Sequence, residues 1–379
     1  MSVTSIAVIG AGLAGAATAW QLARRGHEVT VLERSEPANH WGSSHGSARI
    51  FRYAYPDPLY TRLVVEARAG WDELERDGGA SLITPAGAID HGDERDPEGL
   101  ARVLGEAGVA HELLSAAQAR ERWDGIAFSG PAVWHEAAGV IDAEGAVRTM
   151  LRLATDAGAV VRRDWPVAAV SRRDAGYRVV SATGEAVEAA QVVVAAGGWL
   201  PDLLGGLGLG PDVLRGFPPL EVRQEQAFHF PYRDGASDWP TIIHKTASMQ
   251  VYALPGGRDA DFRGQKVAEY NGGPTIPSAA WHDREIDATR QERVVAYVRE
   301  HLPGLVPEPY AETTCLFTNT PDEDFVIDRV DGITILSPCS GHGAKFAPLI
   351  GEYAARLVEG GEVPERFRPL SVHGGRVHA

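Results

Sequence analysis

Six residues near the N-terminus, GAGLAG from Gly10 to Gly15, leave this chain few folds to choose from. An apolar run, Ile6 to Ile9, precedes them; a helical stretch follows and closes near Gly26, and Val29 to Leu32 read as a second strand. The pattern is a βαβ opening. In it Gly10 permits a tight turn, Gly12 lets the backbone approach a pyrophosphate, and Gly15 lets helix and strand pack closely. The helix N-terminus then faces phosphate, and Glu33, at the end of the second strand, can accept from ribose hydroxyls. An acid at that position repels a 2′-phosphate, which disfavours NADP. The fingerprint predicts a bound dinucleotide without separating FAD from NAD.

A chain of 379 residues exceeds the size at which single cores stop growing, so two domains are expected. Hydrophobic residues at 44% and charged residues at 23% describe an ordinary globular protein rather than a disordered one. With 36 basic against 51 acidic residues the net charge is −15, and no basic patch offsets it, which argues against a nucleic-acid partner. The two cysteines, Cys315 and Cys339, form no CxxC pair and give neither a disulfide framework nor a zinc site. No HExxH occurs, so no metal is expected. The apolar AVIGAGLAGAATAW has no basic segment before it, and no other run approaches the ~18 residues of a membrane helix. The expectation is a cytoplasmic protein without membrane contact.

The texture of the chain changes twice. A helix with Leu63, Ala67, Trp71 and Leu74 on one face gives way to strand-like, Pro/Gly-punctuated sequence up to residue 142. Asp142 then caps a helix that ends before Gly158, and a strand-rich stretch closes on the apolar Val192 to Val194. Strands dominate again from about 215 to 318, interrupted by RQERVVAYVREHL, which Pro303 stops. Strand and helix return in the last sixty residues. This alternation predicts two discontinuous domains, 1–84, 143–214 and 319–379 against 85–142 and 215–318. The fold class expected is α/β: a Rossmann-like dinucleotide domain plus a catalytic domain on a mostly antiparallel sheet.

Three further segments have unusual composition: SSHGSARIFRYAY, TTCLFTNTPDEDFVID and CSGHGAKFAPLIGEY. The first sets Arg49 and Arg52 among Ile50, Phe51, Tyr53 and Tyr55. Two permanent cations beside an apolar wall point to an anion or a flat electron-rich group; the alternative is a solvated basic face. With the glycine fingerprint, these segments resemble, in the same order and over nearly the whole chain, the monomeric sarcosine oxidase and N-methyltryptophan oxidase family of FAD-dependent amine oxidases.

The resemblance implies FAD held by Gly10, Gly12, Gly15, Glu33, Arg34 and Ser43, with His45, Arg49, Gly341, His342, Gly343 and Lys345 around the flavin. Cys315 matches the position that forms a thioether to the ring. His45 and Arg49 look like the cations that would lower its thiol pKa, although a cysteine in a strand is by itself as readily a core residue. Cys339 matches no attachment position and is expected in the core. The turn Ser340 to Gly343, at the start of the closing helix, resembles the one that stabilises negative charge on the flavin. Arg52 and Lys345 match a clamp for the substrate carboxylate, and Lys266 matches a lysine where dioxygen is reduced. Tyr252 matches a tyrosine over the substrate, with a core tyrosine as its plain alternative. The catalytic set is then Lys266, Arg49, His45 and Tyr252. Two positions depart from sarcosine oxidase: Phe317 replaces a tyrosine and Tyr270 a histidine.

The function this implies is oxidation of a secondary amino acid to an imine, dioxygen going to hydrogen peroxide, by a monomer or small homo-oligomer. Cyclic imino acids such as proline and pipecolate, or glycated amino acids, are alternative substrates. An NAD-dependent dehydrogenase or a non-catalytic nucleotide-binding protein would share only the glycine motif.

Overall fold

The computed structural model describes residues 3–236 and 239–370. Among them the strands form four sheets. The first runs in the order Val326–Val330, Ile333–Ser337, Gln191–Val194, Ser5–Ile9, Glu28–Leu32, Val160–Arg162, all parallel except the first strand. Its central strand Ser5–Ile9 is apolar and buried from Ile6 onward because both faces are covered. Ile6 and Val8 pack on a helical layer with Ala16 and Trp20, while Ala7 and Ile9 pack on the antiparallel meander of Val167–Arg173, Gly176–Ser181 and Ala186–Ala189 through Tyr177 and Val179.

The helical layer consists of Leu13–Ala23 between Ala143–Asp156 and Ala347–Val358. Small residues make the close approach: a Cβ on Gly351 would lie 2.5 Å from the Ala17 backbone. Asp142 caps its helix by accepting from the Gly145 N–H at 2.8 Å, as its sequence position predicts.

The second large sheet has nine strands and is antiparallel except where Thr241–Lys245 pairs with Ala88–His91. Its register decides the site. Cys315 faces Glu225, His229 pairs with Lys266, Lys266 with Leu254, and Tyr252 with Ala268. Residues two apart on a strand, or directly opposite across a ladder, share a face, so Cys315, Phe317, Glu225, Lys266 and Tyr252 all project from one side. On the reverse, Phe228, Phe230, Val251, Ala253 and Val267 bury against Val294, Tyr297 and Val298 of the helix Ala288–His301. A small antiparallel sheet, Arg49–Phe51, Gly139–Ile141 and Ile83–Pro85, carries the arginine segment.

The closing helix begins later than expected. A tight turn over Gly343–Phe346 intervenes before Ala347–Val358, and Ser340 and Gly341 ahead of it adopt left-handed backbone at φ 39° and 69°. Pro348 sets the helix start after that turn.

Candidate active site

A cavity of about 520 Å³ opens at the carboxyl ends of the parallel strands, bounded by Gly10, Glu33, Ala195 and Pro338 and by Cys315 and Phe317 of the second sheet. This is where an open α/β sheet binds its ligands. Gly10 has φ 97°, and a Cβ there would lie 2.5 Å from the Ala195 carbonyl oxygen. A Cβ on Gly15 would stand 1.9 Å from the Gly10 carbonyl oxygen, so Gly15 shapes the turn while Gly10 and Gly12 line the cavity. The helix Leu13–Ala23 has no side-chain cap of its own, and Ser44 accepts from the Leu13 N–H at 3.0 Å. Glu33 accepts from the Ala11 N–H at 2.8 Å and the Ser35 N–H at 3.0 Å. Burial raises its pKa, and those two donors oppose the rise. Arg34 stacks over Trp199 at 4.6 Å, and both line the cavity. A glycine-lined cradle at a helix N-terminus, with a carboxylate at the next strand end, fits a dinucleotide.

Beyond the cradle, the cavity meets Ser43, Arg49, Cys315, Gly341 and Gly343. Ser43 donates to the Leu316 carbonyl at 2.7 Å, and Arg49 donates to the Ser43 carbonyl at 3.0 Å and the Ala48 carbonyl at 3.1 Å. Lys266 donates to the Ala48 carbonyl at 3.4 Å. Burial, with Arg49 adding to it, brings Lys266 down to about 8, against the opposing pull of Cys315 and Asp259.

Two electrostatic expectations are corrected here. His45 is not a cation: burial, then Arg49 and Lys266, depress its pKa to about 2, so the imidazole is neutral. The Cys315 thiol is raised rather than lowered, because burial outweighs Arg49 and Lys266. Cys339 departs from its expected place in the core. It lines the cavity, and its Sγ accepts from the Thr318 N–H at 3.4 Å.

Arg52 and Lys345, 293 positions apart in sequence, meet at Tyr55. The Arg52 guanidinium lies 4.8 Å over the Tyr55 ring, and Lys345 donates to the Tyr55 hydroxyl at 2.9 Å and to the His342 carbonyl at 2.7 Å. An ammonium has three donors, so one remains. No carboxylate pairs with Lys345 among the described residues, and burial, with Arg52 adding to it, holds its pKa well below the lysine range. Arg52 also donates to the Ala54 carbonyl and lies 3.8 Å from Asp90, a fully buried carboxylate that Arg95 engages at 2.6 and 2.9 Å.

The His342 side chain does not line the cavity. It lies 3.1 Å from the Tyr55 hydroxyl and 3.0 Å from the Glu323 carbonyl, stacked on Phe325, and burial together with Lys345 lowers it to about 3. A neutral ring bonded to a carbonyl through Nε2 must carry its proton there, so Nδ1 accepts from Tyr55. Tyr252, on the face that bears Cys315, is buried enough to stay a phenol at any working pH. Gly341 is obligatory, because a Cβ would stand 2.8 Å from the rings of both Phe317 and Tyr270. Sequence reasoning missed Ser44, Trp199, Asp90 and Arg95. Ser44 lay inside a quoted segment, but nothing in the sequence marks Asp90 and Arg95 as a buried pair.

Similarity to known proteins coincides with this geometry. A family model described as FAD dependent oxidoreductase matches residues 5–357. The chain is 32% identical over 371 residues to a monomeric sarcosine oxidase of Streptomyces avermitilis, covering 93% of this chain and 92% of that one. It is 31% identical over 366 residues to an N-methyl-L-tryptophan oxidase of Yersinia pestis, covering 93% and 94%. Among solved structures, NikD, an unusual amino acid oxidase essential for nikkomycin biosynthesis, superposes with a TM-score of 0.84 at 24% identity over 97% of this chain and 98% of that one. An L-proline dehydrogenase from P. horikoshii superposes at 0.82 with 21% identity over the whole of both chains. These two share the fold.

Proposed function

Because this chain belongs to the family of FAD-dependent oxidoreductases, as a flavin-dependent amine oxidase, we propose that it oxidises secondary amino acids of the sarcosine or N-methyl type. The C–N bond becomes an imine and dioxygen becomes hydrogen peroxide. The observation that carries this reading is the convergence of Arg52 and Lys345 on Tyr55. Family membership sets the nicotinamide alternative aside.

When bound, FAD would supply the chemistry of hydride acceptance and of electron transfer to dioxygen. The protein's part is placement and charge. Arg52 and the free donor of Lys345 hold the substrate carboxylate, which fixes the amine and its C–H bond in one orientation. Burial makes an unpaired ammonium at Lys345 unfavourable, so an arriving carboxylate relieves a cost already present. The same cations disfavour a protonated substrate amine and so favour the form with a free lone pair. Lys266 offers a fixed positive charge to an oxygen anion below about pH 8. Tyr252 shares its face of the sheet and walls the site.

In this proposal Cys315 is the residue that would hold the flavin covalently, and burial keeps its thiol protonated before attachment. Gly10, Gly12, Gly15, Glu33, Arg34 and Ser43 hold the dinucleotide; Arg49, His45 as a neutral group, and the Gly341 to Gly343 turn surround the ring. Segments 1–84, 143–214 and 319–379 form the FAD domain and 85–142 and 215–318 the catalytic domain; the strands of each large sheet come from its own set, save that Ala311–Asn319 runs one residue past the boundary. No helix among the described residues is long and apolar enough to cross a membrane. The proposal takes the protein as a cytoplasmic monomer or small homo-oligomer.

The test is peroxide formation from sarcosine, N-methyltryptophan, proline, pipecolate and glycated amino acids. Peroxide from an N-methyl amino acid, lost in Arg52→Ala, supports the reading. If none of these compounds is oxidised, the substrate class is wrong.

A further inference from the structure

A third cation, at the end of a strand of the second sheet, lies within the field of Arg52. Lys245, the last residue of Thr241–Lys245, places its ammonium 5.7 Å from the centroid of the Tyr270 ring. Tyr270 packs on the cavity-lining Phe317 with centroids 5.6 Å apart, and its hydroxyl, with one proton to donate, lies 3.0 Å from both the Ser340 carbonyl and the Glu323 carboxylate. It therefore stands against the turn from which Lys345 rises. Lys245 is half-buried, yet among the described residues its ammonium has no hydrogen bond and no ion pair. Its burial and the fields of Arg95 and Arg52 lower its pKa, with Glu323 and Asp90 opposing.

The local charge does not balance. Lys245 stands with Arg95 and Arg52 against two carboxylates, Glu323 and Asp90, and Arg52 in turn neighbours Lys345; Arg95 already engages Asp90. In a protein whose net charge is −15, a cluster in which cations outnumber carboxylates is suited to receive an anion. A substrate with one carboxylate satisfies the Arg52 and Lys345 clamp and leaves Lys245 unmatched. Partly desolvated charges without partners are costly.

Resting on the amine-oxidase reading above, we propose that the substrate is a dicarboxylic secondary amino acid, its first carboxylate on Arg52 and Lys345 and its second, on a short side chain or N-substituent, on Lys245 beside the Tyr270 ring. Lys245 is then the residue that sets specificity. A lysine at the end of a strand carries no such signal in sequence.

Two measurements on the holoenzyme decide it. Calorimetric binding of thiodiacetate and of 2-(methylthio)succinate is compared with (methylthio)acetate, three thioethers that lack an oxidisable amine. At least one dicarboxylate binds about 10–100-fold tighter, the worth of one partly desolvated ion pair. Lys245→Met abolishes that preference and Lys245→Arg keeps it. Equal affinities, or a preference that survives Lys245→Met, overturn the inference. Peroxide kinetics supply the second measurement: the kcat/KM ratio of iminodiacetate to sarcosine, or of N-methylaspartate to N-methylalanine, falls by about the same factor in Lys245→Met, chiefly through KM. Lysine-dependent dicarboxylate binding with no peroxide from any secondary amine would leave the dianion site standing and remove the oxidase reading. Peroxide from sarcosine with binding indifferent to Lys245 would do the reverse.

Discussion

Lys345 shows how burial turns one side chain into a reader of anions. Two of its three donors are fixed by Tyr55 and the His342 carbonyl, and its pKa is depressed by burial and by Arg52. A bound carboxylate restores the charged form, so binding takes up a proton wherever the free site has lost one. The sign follows: affinity for a carboxylate falls as pH rises through the free-site value. Calorimetry with (methylthio)acetate, which does not titrate above pH 6, reads this directly as proton uptake. A dissociation constant that is flat in pH would mean the free site is already fully charged. Lys345→Met, which leaves Arg52 alone, should weaken the ligand by about 30-fold or more. At the same scale, Cys315 is tested by acid precipitation. Colour should stay in the pellet for the unchanged protein and leave it for Cys315→Ala, while a colourless pellet from the unchanged protein would refute the attachment.

At the scale of elements, what the sequence revealed and what it hid have physical causes. The βαβ opening was legible because backbone constraints are written as glycine: Gly10 needs its positive φ, and Gly15 touches the Gly10 carbonyl. The helix bearing Leu63, Ala67, Trp71 and Leu74 was legible through periodicity, and all four side chains are buried. The site's face of the second sheet was legible only through resemblance, since register between distant strands, such as Cys315 opposite Glu225, leaves no local trace. The protonation states could not be read at all. Cationic neighbours suggested a lowered Cys315 and a charged His45, but desolvation, a property of the assembled interior, reversed both. The turn before the closing helix gives an elemental prediction. Gly341→Ala meets two rings at 2.8 Å in addition to its unfavourable φ, whereas Gly360→Ala, at φ 83° with open space around it, meets only the backbone cost. Gly341→Ala should therefore lose about 1–3 kcal/mol more than Gly360→Ala. Thermal unfolding of the two variants checks this, and equal Tm values would show that the rings yield freely.

For the whole molecule, the distribution of histidines sets the acid limit of stability. Burial lowers His135, His229 and His244 to about 4, with Lys266 assisting at His229 and His301 at His244, and His342 and His45 lie lower still. Each is neutral in the fold and would charge near 6.5 in the unfolded chain. Between those values the unfolded state binds more protons, so stability is whole above pH 6.5 and is lost as pH falls toward 4. Glu225 opposes this trend. Burial raises it to about 7 against the Gly273 N–H, so the fold binds its proton more readily and loses stability as pH rises from about 4.5 to 7. Glu33, also raised by burial, acts in the same sense, and two carboxyls against several imidazoles leave the histidines dominant. Most of these rings lie in the second sheet and its strands, with His91 stacked on His244 at 4.2 Å and lowered further by burial and that neighbour. The acid-sensitive part is thus the sheet that carries Lys266, Tyr252 and Cys315, rather than the dinucleotide cradle. Calorimetric scans of the holoenzyme should show Tm dropping steeply between pH 6.5 and 4, and a His244→Gln variant should flatten that drop. A Tm independent of pH across this range would mean that the buried imidazoles find compensating partners on protonation and that desolvation does not govern them.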